Sequence, residues 1–130
     1  MKIVGGKWSN WSGGVTSKPK QVVAPKDEVA LAAAIRSTTD TVRAPGSGHS
    51  FTPVCASEAM IIDLAAFTGL KSVNNEKLTA TFGAATPLWA VSPALLKEGL
   101  GLKNMGDIDR QTLGGVVGTG THGTGRTLGN

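Results

Sequence analysis

Two glycine-rich stretches hold the residues that can do chemistry. The first is Arg43-Ala44-Pro45-Gly46-Ser47-Gly48-His49-Ser50-Phe51, and the second is Gly118-Thr119-Gly120-Thr121-His122-Gly123. Glycine leaves the backbone N–H groups open to a ligand, and Ser47, Ser50, Thr119 and Thr121 place hydroxyl donors beside them. Such a surface wraps phosphate or another oxygen-rich group. Pro45 stiffens the turn into the first stretch, and His49 stands at its far end, where an imidazole reaches past a bound phosphate to the reactive end of a ligand. A histidine alone in a loop is more often a surface or structural residue. The setting between Gly48 and Ser50 is what favours a functional role. The second stretch lies within residues 114–130, where Val116, Val117 and Leu128 are the large apolar side chains. A segment so rich in glycine loses much conformational entropy on ordering and has little to bury in return. It orders around a ligand or against the rest of a larger protein; the alternative is a flexible linker or a fraying end.

The elements around these stretches follow from local pattern. Gln21-Val22-Val23-Ala24 predicts a short strand closed by Pro25, and Asp27 predicts the cap of a helix running to about Ser37. Val29, Leu31, Ala32, Ala33 and Ile35 give that helix an apolar face, shallow because of its alanines. Thr41-Val42-Arg43-Ala44 predicts a second strand ending at Pro45, so the first glycine loop leaves directly from a strand. Strand, helix, strand favours parallel pairing through a crossover. Met60-Ile61-Ile62-Asp63 is a third strand candidate. From Leu70 the pattern turns to a hairpin, with Asn74-Asn75 at the turn and Leu78, Ala80 and Phe82 alternating with polar residues on its second strand. Thr86-Pro87 predicts a helix start, hydroxyl cap first and proline at the first helical position. Leu88, Val91 and Leu95 form its stripe and Gly99 its stop, with a kink or a restart on Ser92 expected at Pro93. More than half of the 18 glycines follow Glu98, and no internal repeat is present. Two small α/β units joined near Phe67 describe this pattern.

Composition narrows the class. With 130 residues, 40% hydrophobic and 17% charged, the chain can bury a core and is no disordered tract. The one cysteine, Cys55, excludes an internal disulfide framework. No apolar run nears the roughly 20 residues of a membrane span, and no secretory signal is expected. The net charge of +4 is mild, with Lys2, Lys7, Lys18, Lys20 and Lys26 ahead of the first acid and only Trp8 and Trp11 as aromatics near them. Nucleic acid is therefore not an expected partner. Gly118–Gly123 matches the G-x-G-x-x-G dinucleotide fingerprint in letters only, since threonine-rich sequence follows it in place of a helix and no acidic residue stands about 20 positions on. There is no P-loop lysine and no G-x-S-x-G nucleophile turn. His49, His122, Cys55 and Asp63 show no metal-ligand spacing, so no metal is expected.

Four stretches together resemble a known family. They are Trp8-Ser9-Asn10-Trp11-Ser12, the Val42 to Phe51 loop, Asn104-Met105-Gly106-Asp107, and the run from Gln111 to Gly125. In order and spacing they resemble the FAD-binding domain of the vanillyl-alcohol oxidase and p-cresol methylhydroxylase (PCMH) class, and within it the aldonolactone and alditol oxidases. The resemblance implies an α+β fold in which two α/β-type subdomains, residues 1–66 and 67–130, grip an extended FAD. It implies a PCMH-type FAD-binding domain truncated at its C-terminal end, with the substrate domain absent. In the first subdomain Arg43, Pro45, Gly46, Ser47, Gly48, His49, Ser50 and Phe51 would line the cofactor, with the loop around its pyrophosphate and His49 bonded covalently to the flavin 8α-methyl. In the second, Gly106, Asp107, Thr112, Gly115, Thr119, Gly120, Thr121 and His122 would do so. Relatives often carry a small polar residue at Asp107, where a carboxylate meets a diphosphate unfavourably. His122 would either tune the flavin or brace its own loop. The implied parent oxidises a small polyol or sugar lactone, passing hydride to flavin and electrons to oxygen or another acceptor, and its partner is the rest of the parent chain. Its catalytic residues would lie outside this sequence. A non-catalytic flavin- or phosphate-binding module is the alternative.

Overall fold

The run Met60-Ile61-Ile62 is at most 2% exposed, and a strand buried on both faces needs neighbours on both edges. The computed structural model describes residues 3–129, in two units that part between Ala66 and Phe67. In the first, β1 (Ile3–Val4), β2 (Lys7–Ser9) and β3 (Thr16–Ser17) form an antiparallel meander. There follow β4 (Gln21–Val23), α1 (Glu28–Arg36), β5 (Val42–Arg43) and β6 (Met60–Ile62). β4 and β5 are parallel, as a crossover through α1 demands, but they are not neighbours. β6 lies between them, with Ile61 opposite Val22 on one side and Arg43 on the other. The most apolar strand takes the centre because only there are both of its faces covered. Ser57, 5% exposed, sets its approach: its hydroxyl donates to the Thr41 carbonyl at 2.9 Å and accepts from the Ala59 N–H at 3.1 Å.

α1 keeps the predicted limits. The Asp27 carboxylate accepts from the Ala30 N–H at 2.7 Å, Glu28 and Arg36 sit where the helix dipole favours them, and Ser37 closes the helix. No residue of α1 is fully buried, and Val29 is 78% exposed. The large buried indole of this unit is Trp8, on β2. The meander that carries it has strands of two or three residues, too short to show a period of two in sequence.

The second unit contains the hairpin of β7 (Leu70–Asn74) and β8 (Thr79–Phe82), then α2 (Leu88–Lys97) and α3 (Leu113–Gly118). Leu88, Val91 and Leu95 are the buried face of α2, as their spacing predicts. Three expectations need correction. Leu78 belongs to the hairpin turn, at φ 51° and 73% exposed, so the alternating face begins at Ala80. α2 passes through Pro93 without a restart, because the carbonyl that proline leaves without a donor belongs to the half-exposed Trp89. Thr86 does not cap α2, whose capping position is Pro87. The Thr86 hydroxyl is 3% exposed in this unit's interior, accepts from the Gly69 N–H at 2.9 Å and donates to the Gly83 carbonyl at 2.6 Å. It joins the start of the hairpin to its end. Gly83 lies where Phe67 passes so near that a Cβ would overlap the Phe67 carbonyl.

Both helices of this unit stop on glycine in the same way. Gly99, at φ 70°, donates to Leu96 while Leu100 donates to Leu95, and Gly120, at φ 60°, donates to Val117 while Thr121 donates to Val116.

Replacing Thr86 by Val keeps the shape and removes both bonds. The expected result is a loss of about 1–3 kcal/mol, read as a lower urea midpoint with unchanged slope; an unchanged midpoint would show that the hydroxyl holds nothing.

Candidate functional site

In the first unit the glycine loop leaves β5 at the C-terminal edge of a parallel sheet, the edge at which open α/β sheets bind ligands. Pro45 and Gly48 are buried; Gly46, Ser47, His49 and Ser50 are half-buried. Gly48 is at φ 70°, and a Cβ there would meet the Asn10 Cα at 3.4 Å and the Trp8 ring at 3.6 Å. A neighbouring segment therefore lies directly under the loop. Among the described residues, no hydrogen bond engages the backbone N–H of Gly46, Gly48, His49 or Ser50. The Ser50 hydroxyl is shared with Thr52, 2.9 Å away. Arg43 is exposed, its guanidinium turned back to the Val42 carbonyl at 3.4 Å. Phe51 is 72% exposed, its ring edge-on to Trp11.

Two residues of this unit escaped the sequence reading. Asn10, 2% exposed, donates from its side-chain amide to the Ser50 carbonyl at 3.0 Å, and its side-chain oxygen accepts from the Val15 N–H at 3.1 Å. The Trp11 N–H donates to the Gly48 carbonyl at 3.0 Å, and its indole stacks on the His49 ring with centroids 5.3 Å apart and planes 14° from parallel. The signal was the Trp8-Ser9-Asn10-Trp11-Ser12 stretch, which carried the family resemblance without pointing to a partner. Burial disfavours the Cys55 thiolate and pushes the thiol above its ordinary value, against a weaker pull from Arg43.

In the second unit the structure brings Gly106 against Thr121 and His122, each with an atom 3.5 Å from a Cβ placed at Gly106. At Gly123 a Cβ would overlap the Asn104 side chain and the Met105 carbonyl, so this pair of segments meets only through glycine. Thr112 is the first capping residue of α3, and Gly115 follows in its first turn. The Thr119 hydroxyl donates to the Gly115 carbonyl at 3.0 Å and lies 3.1 Å from the Thr121 hydroxyl, which also accepts from the Gln111 side chain at 3.4 Å. Asp107 and His122 are exposed, and the His122 ring nitrogen Nδ1 lies 2.7 Å from the Gly123 carbonyl. Beside these residues is a pocket of about 260 Å³, lined by Leu88, Leu102, Leu113, Val116 and Val117 on its apolar side and by Asn104, Met105, Gly106, Gly120 and Thr121 on the other. The helix starts offer little to an anion. Leu88 and Trp89 of α2 donate to Gln111 and Asp109, and Leu113 and Gly114 of α3 donate to Thr86 and Ala84. Gly120 is a helix stop, which explains why the dinucleotide-like spelling is not a phosphate turn.

A parallel-sheet unit with a glycine loop, followed by a hairpin and helix unit with a second glycine-threonine loop, makes a fold of mixed helix and strand. Residues 19–130 match the family described as the FAD binding domain, and the chain belongs to that family, with FAD as the cofactor it implies. The fold is the PCMH-type FAD-binding fold: a solvent-stable cholesterol oxidase superposes with a TM-score of 0.74 at 26% identity, over 92% of this chain and 24% of its own. Cholesterol oxidase from B. sterolicum gives a TM-score of 0.70 at 23% identity, over 91% and 24%. In sequence the chain is 37% identical over 121 residues to an L-gulono-1,4-lactone dehydrogenase of Mycobacterium tuberculosis, covering 91% of this chain and 28% of the relative. It is 31% identical over 127 residues to L-gulonolactone oxidase of Mus musculus, covering 93% and 28%. It thus spans little more than a quarter of these relatives' length.

Gly48→Ala forces a side chain into left-handed backbone over Asn10 and Trp8. The expected destabilisation is about 1–2 kcal/mol, measured by thermal or urea unfolding of the first unit, with the second unit unaffected. An alanine variant as stable as the parent would contradict the loop geometry.

Proposed function

We propose that this chain is the cofactor-holding part of a flavoprotein that oxidises a sugar-derived alcohol or lactone. The observation that carries the reading is the loop at residues 46–50, in which the N–H groups of Gly46, Gly48, His49 and Ser50 meet no acceptor among the described residues, while the segment beneath it is fixed by Asn10 and Trp11. Polar groups left open on a braced loop fit the oxygens of a diphosphate. The residues fit FAD, since Gly48 takes a left-handed backbone shape that larger residues rarely adopt and leaves those donors unscreened.

Within this reading the loop binds the pyrophosphate, Arg43 and Phe51 flank it, and Pro45 stiffens it. His49, at the far end, presents a ring nitrogen as the point of attachment to the flavin 8α-methyl. Gly106, Thr112, Gly115, Thr119, Gly120 and Thr121 form the second set of cofactor contacts. The hydroxyls of Thr119 and Thr121 serve as donors beside the apolar pocket. Asp107 and His122, both exposed, complete that set. FAD, when bound, supplies a two-electron acceptor for hydride from a carbinol carbon and a route for electrons to oxygen or another acceptor. The substrate class follows from the relatives, which are named for gulonolactone and, in Candida glabrata at 30% identity, for D-arabinono-1,4-lactone. The units on either side of the Ala66–Phe67 boundary are the two FAD-binding subdomains in this reading.

Chain mixed with FAD and then desalted is expected to keep a flavin absorption band. After acid precipitation that band stays with the wild-type pellet and leaves with the supernatant for His49→Ala. A wild-type chain that keeps no flavin through desalting would refute the reading. In a protein of the relatives' full length carrying this chain, an aldonolactone or polyol added without oxygen is expected to bleach the band; no bleaching by any hydroxylated substrate would refute the oxidase part alone.

A further inference from the structure

His49 is held from both sides by two adjacent residues far from it in sequence. The carbonyl before it, on Gly48, accepts the Trp11 N–H, and the carbonyl after it, on Ser50, accepts the Asn10 side-chain amide. Those two bonds fix the backbone on either side of the histidine. The side chain is fixed by a third contact, the stacking of the Trp11 indole on the imidazole. The edge of Phe51 meets the same indole with centroids 5.6 Å apart and planes at 74°, which limits its swing. Trp11 is 56% exposed, so burial does not account for its position. Trp8, three residues earlier, is the buried one, at 1%. A half-exposed indole lying flat on a histidine contributes direction more than core volume, because aromatic pairs have preferred geometries.

We propose that Trp11 is a positioning residue that fixes the orientation of the His49 imidazole. Its consequence for cofactor binding rests on the FAD reading above; the orientation itself does not. A reactive ring nitrogen is useful only when it points at its target, and small misplacements are costly in rate. The indole fixes the plane of the ring before any ligand arrives, while Asn10 and the Trp11 N–H fix the chain that carries it.

The chain has two histidines, His49 and His122, one in each unit, so the imidazole region of its NMR spectrum is simple. The experiment compares wild type, Trp11→Phe and Trp11→Ala without FAD, then titrates each with FAD. The His49 ring protons are expected upfield in wild type under the indole ring current, partly relaxed in Trp11→Phe, and at ordinary positions in Trp11→Ala, with His122 unmoved. FAD binding is expected to weaken by up to about tenfold in Trp11→Ala and to recover largely in Trp11→Phe. His49 lines that stay in place in both variants overturn the proposal. So do backbone amide lines of β4, β5 and β6 that move as far as those of His49, since that marks a general role in the fold. If Trp11→Ala fails to fold, the Trp11→Phe spectrum decides. If wild type takes up no FAD, the FAD reading fails by itself and the imidazole lines still settle the role of Trp11.

Discussion

The first unit depends on one buried amide. Asn10 has too little exposure to be solvated by water, so each of its polar atoms needs a partner within the chain. Its side-chain oxygen takes the Val15 N–H and its side-chain nitrogen takes the Ser50 carbonyl. The first bond closes the turn between β2 and β3; the second ties that turn to a loop 40 residues away. That bond fixes the Ser50 end of the glycine loop.

The second unit solves a related problem by close approach. A segment with so much glycine has few side chains to bury, and the structure holds it by bringing backbone against backbone. Gly83 lies on Phe67, Gly114 has the Ala84 carbonyl 3.2 Å from where a Cβ would stand, and Gly123 lies on the 104–105 segment. The Leu113 and Gly114 amides donate to Thr86 and Ala84, so the start of α3 is fastened to the same turn that Thr86 braces. Glycine here serves close contact and helix termination.

Much of the frame was legible before the structure. Asp27 and Ser37 bracketed α1, the spacing of Leu88, Val91 and Leu95 marked the buried face of α2, and the apolar run at Met60 marked a strand, though not its central place. What escaped was long-range. The strands β1 to β3 are too short to carry a period, and nothing in the letters places Asn10 under Ser50. Thr86 read as a helix cap because a hydroxyl before proline is the usual capping pattern, yet its nearer opportunity was to bridge Gly69 and Gly83. Leu78 read as strand because it continues the alternation, while the turn needed a residue at positive φ. The loop from Arg43 to Phe51 and the Trp8–Ser12 stretch were both visible as motifs; that the second lies beneath the first was not.

The most direct measurement is the backbone amide spectrum of the chain titrated with FAD and, separately, with riboflavin, which has the ring system but no diphosphate. If the loop holds the pyrophosphate, the N–H resonances of Gly46, Gly48 and Ser50 move strongly downfield with FAD and much less with riboflavin, whose ring reaches only the His49 end of the loop. If FAD binds while those three resonances remain where they were, the diphosphate is held elsewhere and the account of the loop is wrong.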